Sequence, residues 1–162
     1  MRSKLLNYTL PVLLFSIIWG AVEFLVPIRY SEAGVNIALV GFLFSLTSVI
    51  SLLLDIPAGK LSDKIGREKM IIYSMCITVA GLLLLYFFSS VWAFATSAIL
   101  IGIAYGLNWS PLLAFVGDHG DENNNHGSVF GGFLLLDGLG EAIAPIGLSI
   151  VLLYSEVRFP FI

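Results

Sequence analysis

The stretch Asp55-Ile-Pro-Ala-Gly59-Lys60-Leu61-Ser62-Asp63-Lys64-Ile65-Gly66-Arg67-Glu68-Lys69 carries four of the chain's eight basic residues and sits between two long apolar runs, Val35 to Ile56 and Met70 to Phe88. Working outward, three more runs of the same kind appear: Leu6 to Ile28, Trp92 to Val116 and Val129 to Tyr154. The five runs hold between 19 and 26 residues each, and a helix needs about 20 to cross the hydrocarbon core of a bilayer. Charged residues make up only 12% of the 162 residues and apolar ones 58%, where a soluble domain carries roughly 25% charged residues. With a mean hydropathy of +0.96, the composition excludes both a soluble globular domain and a disordered chain. The expected fold is therefore an all-α membrane protein, a bundle of five transmembrane helices at about 6–28, 35–56, 70–88, 92–116 and 129–154, in contact with lipid.

Charge gives the expected orientation. Lys and Arg near helix ends favour the cytoplasmic side. With the N-terminus inside, Arg2, Lys4, Lys60, Lys64, Arg67 and Lys69 lie inside and only Arg29 and Arg158 outside. The segments 57–69 and 117–128 are then cytoplasmic loops, and 29–34, 89–91 and the tail from Ser155 face outward. The first run is too long for the apolar core of a signal peptide, roughly 7 to 15 residues, and no cleavage site of small residues follows, so it is read as a retained span. A net charge of −3 with half the basic residues in one loop excludes a nucleic-acid partner. Cys76 stands alone and is expected to be a buried, inert thiol.

The stretch from Asp55 to Lys69 resembles the cytoplasmic signature of the major facilitator superfamily, G-x-L-[small]-D-[basic]-x-G-R-[polar]-[basic]. Gly59, Leu61, Ser62, Asp63, Lys64, Gly66, Arg67 and Lys69 all fit, and the place after the second span agrees. The resemblance implies the N-terminal part of a secondary transporter whose two six-helix halves rock about a central site. It implies a small-molecule substrate, a C-terminal transmembrane half missing from this chain, no cofactor, and a plasma-membrane location. Gly59, Asp63, Gly66 and Arg67 would form a conformational latch. Glycine suits a tight turn or close backbone approach, and Arg67 offers a planar fork to a carboxylate or to helix-end carbonyls. In the fourth span Gly106 takes the place of a family Gly, Tyr105 that of a polar residue, and Gly102 stands where relatives often carry Arg. In the fifth, Gly131, Gly140 and Pro145 fall in register with an antiporter-like pattern, G-x8-G-x3-G-P-x2-G-G, in which Ala144 replaces the third Gly and Leu148-Ser149 the last pair. Generic packing of small residues explains the same positions equally well.

Ionisable groups at membrane depth are costly and mark functional candidates. Asp137 and Glu141 lie roughly 12 and 18 Å from the inner end of the fifth span at about 1.5 Å per residue, bracketing the middle of a core roughly 30 Å thick. Four residues apart, they share one helix face, and two carboxylates so close in a poorly hydrated site should not both ionise freely. They are the candidates for proton coupling or contact with a cationic substrate; a pair satisfied by hydrogen bonds or by a basic residue from another helix is the competing reading. Glu23 either lines the outer half of a cavity with them or reaches the headgroups. Asp55, one turn before Gly59, is read as a structural partner of the latch. Tyr105, Asn108 and Trp109 are candidate cavity-lining residues.

Other chemistries fit less well. Asp118, His119, Asp121, Glu122 and His126 are metal-ligand types at no spacing that matches a zinc or calcium loop. Intramembrane proteolysis would need Tyr-Asp on one helix and Gly-x-Gly-Asp on the next, whereas the chain has Gly138-Leu139-Gly140-Glu141 and no Tyr-Asp. No enzyme is expected. The alternative to a transporter is a non-transporting membrane module or a truncated product that packs with other transmembrane helices.

Overall fold

The computed structural model describes residues 2–123 and 126–154, with side chains over 12–118 and 127–153. They form five helices: α1 Arg2–Glu32, α2 Ile37–Ile65, α3 Arg67–Phe87, α4 Val91–Asn123 and α5 His126–Tyr154. All five are long and apolar enough to cross a membrane, and no strand occurs among the described residues. A helix satisfies its own backbone, which is what hydrocarbon demands of a spanning segment.

All five helices outrun their apolar runs at one end or both. The segment 57–69, expected as a loop, is helical on both sides of one residue, because α2 continues to Ile65 and α3 begins at Arg67. Likewise α1 runs on to Glu32 through what was expected to be an outer loop, and α4 to Asn123. Charge does not break these helices; a glycine at positive φ does, at Gly34 and Gly66. At the end of α1 the Val35 amide donates to the Tyr30 carbonyl and the Gly34 amide to the Ser31 carbonyl, with Gly34 at φ 71°, a Schellman closure. Asn36 then caps α2 by accepting from the Ala38 amide at 2.8 Å. Gly66, at φ 100° and ψ 136°, ends α2 and starts α3 by itself, in a conformation that a side chain would strain. The tail from Ser155, with Arg158, and the side chains of Arg2 and Lys4 lie outside the described residues.

The chain divides into two compact units, one built on α1 through Ile28 with α5, the other on Arg29–Asp118. In the second, α2 and α4 run side by side in the same direction. A methyl group on Gly102 would fall 2.7 Å from the Thr47 carbonyl oxygen, and one on Gly106 would fall 2.9 Å from that of Ser51. The Thr47 hydroxyl lies 3.0 Å from the Leu43 carbonyl and 3.2 Å from the Ala98 carbonyl across the contact. Lipid offers no hydrophobic drive between helices, so such close approach of small residues is what holds them. On the other side of α4, Ser97 donates to the Gly81 carbonyl of α3 at 3.0 Å.

Arg29, expected in an outer loop, is a buried residue of the last turn of α1. Its Nε donates to the Leu85 carbonyl at 2.9 Å and its Nη2 to the Ser89 hydroxyl at 2.7 Å. Leu85 is in the last turn of α3, where carbonyls lack helical partners and the dipole favours a cation. Tyr30 beside it packs edge-on against Phe94 at 5.2 Å between ring centroids. Outward, Leu52, Leu53 and Ile56 of α2 are about 70% exposed, as lipid-facing side chains are. Cys76 is exposed as well, which corrects the expectation of a buried thiol: it falls on the outer face of α3, away from the buried stripe Met70, Ser74, Thr78, Gly81 and Leu85.

Gly102→Ala should lower stability by about 1–3 kcal/mol, the usual cost of overpacking, whereas Gly131→Ala, with nothing within 4 Å of the added methyl, should not. Thermal unfolding of the two variants in detergent checks the contrast.

Candidate functional site

Within the first unit α1 and α5 run in the same direction and meet through small residues. A methyl on Gly140 would fall 2.5 Å from the Ser16 Cβ, and one on Gly20 would fall 2.7 Å from the Glu141 Cα. Ala144, one turn after Gly140, is buried, while Gly131 faces open space. Pro145 lies inside α5 and removes the amide that would bond the Glu141 carbonyl. That carbonyl oxygen is the backbone group lying 2.9 Å from a Cβ built on Gly20.

This crossing gathers the intramembrane carboxylates. Asp137 is buried and receives a hydrogen bond of 2.6 Å from the Ser16 hydroxyl. Glu141, half-buried one turn later, is within electrostatic reach of both Asp137 and Glu23. Glu23 is more exposed and lies beside the Trp19 indole, also within reach of Asp137. Trp19 stacks on Phe15 at 6.1 Å between centroids, giving the cluster an aromatic flank. No Lys or Arg pairs with any of the three carboxylates among the described residues. Such a group can hold protons or a cationic moiety, and it repels anions.

The signature segment belongs to the second unit. Gly59 approaches α4, where an added methyl would meet the Ser110 Oγ at 3.0 Å, so its smallness serves packing and Gly66 alone makes the turn. Arg67 reaches across to α4: its Nη1 donates to the Ala114 carbonyl at 2.6 Å and also pairs with the Asp118 carboxylate. Asp63 stands 3.8 Å from the Arg67 Nη2 and is 68% exposed. Asp118 was grouped by sequence with metal-ligand types; the structure makes it the partner of Arg67. The side chains of His119, Asp121, Glu122 and His126 lie outside the described residues.

Tyr105 and Trp109 stack one turn apart on α4 at 5.9 Å, and Asn108 between them is 2% exposed. The Oδ1 atoms of Asn108 and of Asp55 are buried without a hydrogen-bond partner among the described residues. All four belong to the second unit. Sequence alone leaves Ser16 without a role and gives Arg29 and Asp118 different ones, an outer-loop charge and a metal-ligand type, from those the structure shows. Ser16 had a visible signal, a hydroxyl four residues before Gly20 on a span whose next carboxylate is Glu23.

The profile of the Major Facilitator Superfamily matches residues 9–162. The chain belongs to the Major Facilitator Superfamily. It is thus an integral, multi-pass membrane protein of a transporter family, which points to transport rather than enzymatic chemistry. No curated protein and no solved structure matches the chain. For a superfamily member, the absence of an arginine at Gly102 has a steric reason here: the position lies against the Thr47 backbone and leaves no room for a side chain.

Arg67→Ala removes a partner from both Asp118 and the Ala114 carbonyl. For a partly exposed pair the cost is about 1 kcal/mol, and Arg67→Lys should recover little of it because the planar fork is lost. Hydrogen exchange at the α4 end around Ala114 should rise in both variants, and in the parent chain at high salt.

Proposed function

We propose that this chain is the N-terminal portion of a secondary transporter that moves a small, cationic solute by alternating access, coupled to protons. Glu23, Asp137 and Glu141 carry the proposal: three carboxylates from α1 and α5 gather at one crossing with no basic partner among the described residues. A cation or proton arriving there relieves their mutual repulsion, and its departure restores it. That is the energetic difference between loaded and empty states that coupling requires. Two six-helix halves are the working unit of such carriers, so the five helices act together with a further set of transmembrane helices. Gly59, Asp63, Gly66 and Arg67 serve as the latch, with Arg67 clamped to α4 in the present state. The basic residues around Gly66 favour a cytoplasmic position for that end, and with it a cytoplasmic N-terminus; the plasma membrane is the location that the family resemblance implies.

In membrane vesicles containing the assembled carrier, Asp137→Asn and Glu141→Gln should each abolish solute-driven proton flux, read with a pH-sensitive dye, while insertion stays normal. Both replacements keep side-chain volume and hydrogen-bonding capacity. Flux and pH dependence unchanged in both variants would overturn the proton-coupling proposal.

A further inference from the structure

We infer that the Ser16 hydroxyl is a positioning group that lets Asp137 bind and release a proton in place, by turning its one hydrogen between the Asp137 carboxylate and the Val12 carbonyl. Ser16 is fully buried, and its Oγ lies 2.6 Å from the Asp137 Oδ1 and 2.9 Å from the Val12 carbonyl oxygen. A serine has one hydrogen to give and two lone pairs that accept. Two acceptors therefore compete for that hydrogen, and the protonation state of Asp137 decides the outcome.

With Asp137 ionised, the Ser16 O–H donates to Oδ1. When a proton from water binds Oδ1, the new carboxyl O–H donates to the Ser16 Oγ, and the serine hydrogen turns to the Val12 carbonyl. The carboxylate gains one proton, the serine loses none, and no heavy atom has to leave hydrogen-bonding distance. Both states are satisfied inside a buried contact, where an unmade hydrogen bond would cost about 1–3 kcal/mol. The Gly140 backbone pressed on the Ser16 Cβ closes that side to a water that could take over the role. The titratable groups facing Asp137 are Glu23 from α1 and Glu141 on its own helix; neither offers it a hydrogen-bond partner among the described residues, which leaves Ser16 as the group that reads its state.

The inference rests on the proposed proton coupling for its purpose and is tested without it. Infrared difference spectra of the purified chain in lipid discs, recorded between neutral and acid pH, should show a protonated-carboxyl band that Asp137→Asn removes. In Ser16→Ala, which keeps the Cβ that packs on Gly140, the band should move to higher wavenumber as the carboxyl loses its acceptor. Ser16→Cys, with a weaker donor and acceptor of similar shape, should move it less, and serves in its place if the alanine variant fails to insert. A band at the same wavenumber in the parent and in the Ser16 variant that inserts would overturn the positioning role of Ser16, and so would an acid-induced band untouched by Asp137→Asn. A Ser16-sensitive Asp137 band together with normal flux in Asp137→Asn and Glu141→Gln would uphold that role and overturn the coupling.

Discussion

Two helices immersed in hydrocarbon gain nothing by hiding apolar surface from each other, because the lipid is as apolar as they are. What holds α1 to α5 is backbone proximity, and that depends on Gly20 and Gly140, where a single added methyl would collide with the opposite main chain. Everything at the carboxylate cluster follows from this approach. With a larger residue at Gly140 the Ser16 hydroxyl would stand off from Asp137, and a buried acid would face a gap. The second unit uses the same device at Gly102 and Gly106 against Thr47 and Ser51, so each unit contains a parallel helix pair joined by small residues.

Polar groups then fill the places that close packing leaves without partners. Arg29 supplies the Leu85 carbonyl at the end of α3, Arg67 supplies the Ala114 carbonyl in α4, and Ser97 supplies Gly81. In each case the acceptor is a main-chain carbonyl that α-helical geometry or a helix end leaves with spare capacity. Asp137 differs because its partner is a donor shared with a carbonyl, which makes its environment tolerant of two states where the arginine contacts favour one.

The five spans were legible because about 20 consecutive apolar residues have few other uses, and Asp137 and Glu141 stood out because charge at membrane depth is rare. Helix ends were less legible. The cluster of charge from Asp55 to Lys69 marks where the chain leaves hydrocarbon, and it was read as a loop; Leu61, Lys64 and Ile65 are adequate helix formers, and only Gly66 interrupts. Arg29 was read as an outer-loop charge because nothing local shows that the end of α3 will stand beside it. Ser16 was passed over for a similar reason, since its partner is 121 residues away. Periodicity reports on a helix face; it does not report on which other helix that face meets.

Gly66 is the whole of the joint between α2 and α3. Twenty-nine residues precede it in one helix and 21 follow in the next, which at about 1.5 Å per residue makes two rigid arms of roughly 43 and 31 Å meeting at one pair of torsion angles. A turn of about 10° at that pair sweeps the far end of α3 through about 5 Å, by the same rise per residue. The Arg67 clamp on α4 acts next to the fulcrum, while the Arg29 and Ser97 contacts hold α3 near its far end, so a small change of angle at Gly66 strains the distant contacts long before it disturbs the near one.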